Sequence, residues 1–304
     1  MNYISLLQSE MRPAFGCTEP IALAYAAAKA VSVLDEFPNH IHARCSANII
    51  KNVKSVVIPN SGGRKGLQAA ATLGAIVGHP ERELEVLESA TDEDRKWLGT
   101  LLDANFCMVS LAEGVDNLYI EITAETDEHT AVVRIENDHT NVTYVAVDGE
   151  IVSETINEIQ KAAKTKYAMT FDSIYEFSKT ADISGVIPQI KQQVEYNTAI
   201  SREGLSNDYG SNIGQLLLLD EENPSLETKC KAHAAAGSDA RMSGCPLPVV
   251  ICSGSGNQGL TVSVPIITTA EELGKSDDEL YRALVFANLL TLYVKSGIGK
   301  LSAY

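Results

Sequence analysis

A thiol next to a helix start can exchange protons, and this chain places one in the stretch RPAFGCTEP, where Cys17 precedes the apolar run IALAYAAAKAVSVL. Thr18 or Glu19 can cap that helix, with Pro20 at the first helical position, where its missing N–H costs nothing. A helix N-terminus offers free N–H groups and the positive end of the helix dipole, and both favour a thiolate. The adjoining Glu19 opposes it. Two readings of Cys17 therefore stand side by side, a buried inert cysteine and a reactive one.

Three further stretches are suited to holding an anion. GSGNQG, Gly254 to Gly259, has the letters of a dinucleotide loop, which requires a strand before it and a helix after it. The following LTVSVPI reads as a strand ending at Pro265, against that assignment. The same letters occur in carboxylate-binding loops of pyridoxal-phosphate lyases, but Lys229 and Lys231 carry no supporting motif, so no pyridoxal phosphate is expected. A tight Gly-rich turn is the simplest alternative. Common to the ligand-binding readings is a nest of successive N–H groups at Ser255, Gly256 and Asn257. In SDARMSG, Ser238 supplies a hydroxyl, and Arg241 can take a carboxylate in bidentate fashion or tie back to Asp239. KNVKSVVIPNSGGRKG gathers Lys51, Asn52, Asn60, Arg64 and Lys65 around a Gly-Gly turn, as an anion site or a solvated loop. His139 in DHTN is a structural turn residue or a general acid–base.

These residues need positioning elements. The sequence predicts helices over 1–10, 20–35, 67–78, 81–90 and 92–104, with strands over 41–50 and 54–58. FCMVSL, LYIEITA, TAVVRIEN and NVTYVAV then read as β-branched strands, and Asp148-Gly149 as a hairpin turn. Helices are expected over 173–181, 187–203, 211–219, 225–236 and 277–296. The fold class is α/β (α+β) with a β-rich insertion, leading into a mainly helical and apparently truncated catalytic region. The expected divisions are 1–104, an acidic β-rich subdomain 105–160, and 161–304.

The chain has 304 residues, 45% of them hydrophobic, so a packed core is expected. Its net charge of −16 argues against nucleic acid as a partner. Between Glu81 and Glu158 there are 20 acids and only four bases (Arg82, Arg95, Lys96, Arg134), read as a solvated face. No apolar run reaches the length of a membrane span, and the first residues lack a signal-peptide pattern, so a cytoplasmic protein without a membrane partner is expected. The six cysteines are scattered without a CxxC pair, which fits neither a disulfide framework nor a zinc ribbon.

In this order, RPAFGCTEPIALAYAAA, NIIKNVKSVVIPNSGGRKG, DHTN, ISREGLSNDYG, GSDARMSG and SGSGNQG resemble the L-cysteine desulfidase family, which is related to the alpha subunits of iron–sulfur L-serine dehydratases. The resemblance implies a lyase of amino-acid catabolism that converts L-cysteine to sulfide, ammonia and pyruvate by β-elimination. It implies a 4Fe–4S cluster whose open iron binds the leaving group. It makes Cys17 the catalytic proton acceptor and gives substrate binding to Thr18, Asn52, Ser238, Arg241, Ser255, Gly256 and Asn257. In the family, the three cluster cysteines follow a segment like LSA. This chain ends at Tyr304, before all three, so no metal ligand is expected in it, and Cys245 and Cys252 do not match the family's cluster motif. Expected partners are a small amino acid, L-cysteine or L-serine, and either further copies of the chain or a second chain supplying the C-terminal part. The alternatives are a non-catalytic amino-acid-binding or assembly protein and an L-serine dehydratase-like deaminase.

Overall fold

The computed structural model describes residues 2–155 and 169–297. The chain opens with helix α1 (Tyr3–Glu10), capped by Asn2, and strand β1 (Pro13–Phe15). It divides into two compact units. Among the described residues, one holds 15–155 and the other combines 2–14 with 169–297.

The first unit is a sheet with helices on one face. Helix α2 (Thr18–Leu34) is buried on almost every side by its alanines, as expected from its composition. Strand β2 (His40–Cys45) follows. The strand expected over 41–50 stops at Cys45, because Ser46 Oγ accepts from Ile49 N–H and opens helix α3 (Ala47–Val53). The β-branched run 54–58 is not a strand either. It forms one antiparallel bridge, Val57 to Lys65, across the Gly-Gly turn. Helix α4 (Gly66–Val77) packs on α2 so closely that a Cβ on Gly74 would lie 2.2 Å from Ala24 O. A 3-10 helix (Pro80–Glu85) stands where a longer helix was expected, and α5 (Asp92–Asp103) begins at a Thr91–Asp94 capping box.

Strands β3 (Cys107–Leu111), β4 (Tyr119–Glu125), β5 (Thr130–Glu136), β6 (Val142–Val147) and β7 (Glu150–Glu154) complete the sheet. Its order is β3-β2-β4-β5-β6-β7, with β2 parallel to β3 and the other pairs antiparallel. The acidic strands therefore share one sheet with β2, and one unit runs from residue 15 through these strands without a break at 104. Alternation puts Ile120, Ile122, Val133 and Ile135 on the buried face. On the other face, Arg44, Glu121, Arg134 and Tyr144 stand in one cross-strand row.

The second unit is helical: α6 (Phe171–Thr180), α7 (Ile187–Ser206), α8 (Ile213–Leu219) and α9 (Leu226–Met242), then the short strand β8 (Pro248–Val250), α10 (Gly256–Glu272) and α11 (Asp277–Lys295). Leu7, Ile190, Val250, Ile267, Leu284 and Leu289 belong to its core. The mixed α/β class and the mainly helical C-terminal region agree with the sequence reading. LTVSVPI does not. It is helical and lies within α10, with Pro265 inside the helix. The Ser255 cap and the burial of Gly259, Leu260, Ser263, Val264 and Ile267 override its β propensity. The chain end expected to be truncated, 298–304, lies outside the described residues.

Candidate functional site

The expected site residues form two groups, one in each unit. The first surrounds the start of α2. Gly16 has φ +86°, and a Cβ on it would lie 2.1 Å from Pro59 Cγ, so only glycine fits. The turn delivers Cys17 as the cap residue, with extended backbone and its carbonyl accepting from Ile21 N–H at 3.2 Å. Thr18 and Glu19 are thus already helical rather than caps, and Pro20 stands at the third helical position. Its missing N–H still costs nothing there, because first-turn donors have no intrahelical acceptor.

The hub of this group is Glu19. Cys17 Sγ donates to Glu19 Oε2 at 3.3 Å, and Thr18 Oγ1 donates to the same oxygen at 3.1 Å. Asn52 Nδ2, from α3, donates to Oε1 at 3.3 Å. Three sequence-named residues therefore meet on one carboxylate, which sequence reasoning had given as a candidate cap and as opposing ionisation of Cys17. The available signal was an acid in the first turn of a buried helix. Cys17 and Thr18 are buried, at 7% and 2% exposure.

The other polar residues of this unit are not brought to that carboxylate by any of these bonds. Asn60 donates to the carbonyls of Leu87 and Glu88, both at 3.1 Å, and so pins the Gly-Gly loop. Lys51, Arg64 and Lys65 are exposed. His139 is buried in a turn shaped by Asp138 Oδ1, which accepts from Thr140 N–H and Oγ1.

The second group lies where α9 ends and α10 begins. Strand β8 pairs with β1, and Ile251 N–H donates to Arg12 O at 2.9 Å. Fully buried Asn197 of α7 acts as a further strand partner. Its Oδ1 accepts from Val250 N–H at 2.8 Å, and its Nδ2 donates to Val250 O and Ser263 Oγ. Nothing in the local sequence marks Asn197 for this role. After β8, Cys252 and Ser255 exchange both backbone hydrogen bonds around Ser253 (φ +52°) and Gly254 (φ +75°), a tight turn with two left-handed residues. Ser255 then caps α10 by accepting from Gln258 N–H.

Arg241, on the last turn of α9, is 3% exposed. Its guanidinium lies against Gly256, where a Cβ would stand 2.2 Å from Nε, and Nη1 donates to Asn257 Oδ1 at 2.9 Å. Asp239 turns to another task, with Oδ2 accepting from Ile213 N–H at the start of α8. Arg241, Ser255, Gly256 and Asn257 therefore lie together. A strand–loop–helix order exists here, but β8 belongs to a two-stranded sheet rather than to the parallel sheet of a dinucleotide fold. Ser238 is placed differently. It lines a cavity of about 480 Å³ with Leu217, Cys230, Ala234, Thr261 and Pro265.

An iron–sulfur cluster needs several converging thiolates. Burial pushes the thiols of Cys45, Cys107 and Cys252 up to about 12, and it raises Cys245 as well. Among the described residues, no three Cys, His, Asp or Glu side chains are grouped to hold a metal. The described residues do not fit that cofactor.

The model of the serine dehydratase alpha chain matches residues 81–304, a span that takes in Arg241 and the Ser255–Asn257 turn. A UPF0597 protein of Finegoldia magna is 45% identical over 305 residues, covering 100% of this chain and 73% of the relative. UPF0597 proteins of Lachnoclostridium phytofermentans and Desulfitobacterium hafniense are 43% and 42% identical, covering 99% and 100% of this chain and 72% and 71% of their own lengths. No solved structure matches. The chain belongs to the serine dehydratase alpha chain family.

Proposed function

We propose that the chain serves a lyase that removes the β-substituent of a small amino acid, releasing ammonia and pyruvate from L-serine or, with sulfide, from L-cysteine. The observation that carries this reading is the placement of Arg241 beside the start of α10. A buried guanidinium and the N-terminus of α10 present positive charge to the same few ångströms. Anions are favoured there, and a planar carboxylate matches the guanidinium fork. Asn257 holds the fork in place and Gly256 leaves it room. Cys17 is the proposed acceptor of the α-proton, with Thr18 and Asn52 holding the carboxylate beside it.

The experiment is calorimetric titration of the chain with L-serine and L-cysteine, alongside an anaerobic assay for pyruvate and sulfide. Binding of either amino acid that falls at least tenfold in Arg241→Lys supports the role of the guanidinium, and pyruvate release supports the lyase. If neither amino acid binds, the reading fails.

A further inference from the structure

Helices α9 and α10 run antiparallel, and the packing between them changes along their length. Near Arg241 they touch through Asn257, and Gly237 lies against Leu260, where a Cβ would stand 3.2 Å from Cδ2. Farther along, Cys230 Sγ donates to Pro265 O at 3.4 Å. Between these contacts α9 presents Ala234, Ala235 and Ser238, whose side chains are too short to fill the space bounded by α10 and by Leu217 of α8. The cavity of about 480 Å³ is the result. That volume lies in the usual range of small-molecule sites, and alanine, leucine and proline make its wall largely apolar.

Polar groups break this wall at a few points. Pro265 sits inside α10 and has no N–H, so the carbonyl of Thr261 lacks the donor that an unbroken α-helix would give it. Thr261 and Pro265 both line the cavity, which sets a backbone acceptor in its wall. Thr261 Oγ1 gives its proton to the carbonyls of Asn257 and Gln258 and remains an acceptor. Ser238 adds a hydroxyl. Glu227 and Lys231, one turn apart on α9 and paired with each other, stand exposed at the rim.

We propose that this cavity binds a free amino acid with a large aliphatic side chain, of the leucine class. Its ammonium group meets the Thr261 carbonyl and Glu227, and its carboxylate meets Lys231 and Ser238. Its side chain fills the space beside Leu217, Ala234 and Ala235. Opposite charges side by side at the rim suit a zwitterion better than an ion of one sign. L-Serine has no apolar group to occupy the volume. A leucine side chain from a protein partner would cover the apolar wall but bring no donor to the Thr261 carbonyl. The site is formed within the helical unit, its lining does not include Arg241, and it does not rest on the elimination reading.

Calorimetric titration of the chain with L-leucine, with 4-methylpentanoate (L-leucine without its amino group) and with L-serine tests the proposal. L-Leucine should bind at least about tenfold more tightly than 4-methylpentanoate. Ala235→Phe fills the cavity, and Pro265→Ala returns the missing N–H to Thr261 O. Each should lower L-leucine affinity at least about tenfold. Pro265→Ala should at the same time raise the unfolding temperature, because alanine is the better helix former, so its lost binding is not lost folding. L-Serine, whose proposed place is at Arg241, should bind both variants as it binds wild type. Loss of L-leucine binding in the variants, with no L-serine binding to any chain, supports this site and counts against the Arg241 reading. Absence of L-leucine binding to wild type overturns the proposal. So does wild-type affinity in either variant, or 4-methylpentanoate binding as tightly as L-leucine. A dimer on gel filtration that Ala235→Phe dissolves also overturns it, since a second copy then fills the cavity.

Discussion

Arg241 lies across Gly256 so closely that the smallest side chain added there would stand 2.2 Å from Nε and 2.5 Å from Cζ. The glycine is therefore part of the guanidinium's seat. Its neighbours Gly254 and Gly259 answer to different needs, a left-handed turn and a backbone contact.

Gly256→Ala separates binding from stability. The atoms in the way belong to a side chain that can swing aside, so the fold should lose no more than about 1–2 kcal/mol. The swing breaks the bond to Asn257, and affinity for L-serine should fall at least tenfold. Urea unfolding and calorimetry on the same variant check both halves. An unchanged affinity would mean that the guanidinium's position does not matter.

Gly259→Ala and Gly74→Ala should behave in the opposite way. The new Cβ atoms would meet backbone, Val250 O at 2.1 Å and Ala24 O at 2.2 Å, which cannot step aside without moving a strand or a helix. Each should cost about 2–3 kcal/mol, although alanine is the better helix former. Chemical denaturation measures the loss, and a stabilised variant would contradict the packing.

Asn197→Ala leaves Val250 N–H and O without their side-chain partners in a fully buried place. A loss of about 3 kcal/mol is expected. Amide hydrogen exchange should quicken at Val250 and through the 251–255 turn, while β4 and β5 keep their protection. Uniform quickening would show global unfolding instead of local release.

Glu121 makes stability depend on acid. Burial works to raise its carboxyl, but hydrogen bonds from Arg134 and Tyr119 and the charges of Arg134 and Arg44 outweigh burial and hold it below the ordinary value. The folded state therefore binds its proton less readily than the unfolded chain. The contribution is full above the unfolded value of about 4.3 and is lost as pH falls through the lower folded value. Wild type should lose stability faster than Glu121→Gln as pH drops from about 5 to 2, while the variant is the weaker of the two at pH 7. Urea midpoints across that range decide it.

Local sequence determined most of the elements. Thr91 to Asp94 and Ser276 to Glu279 are capping boxes, so α5 and α11 start within a residue of where the letters place them. Alternation in TAVVRIEN and NVTYVAV set the strand faces. Both steps are short-range, since they need only neighbouring residues. Tertiary structure decided the rest. LTVSVPI is helical because a buried helical face and the Ser255 cap outweigh β-branching, and the acidic strands join β2 because pairing can bridge long stretches of chain. The site divides in the same way. The letters marked Cys17, Asn52, Arg241 and Gly256 as candidates by type, and the family resemblance implied the roles of Cys17 and Thr18. Only the fold showed Glu19 collecting Cys17, Thr18 and Asn52 and Gly256 seating Arg241, because such contacts join side chains far apart in sequence.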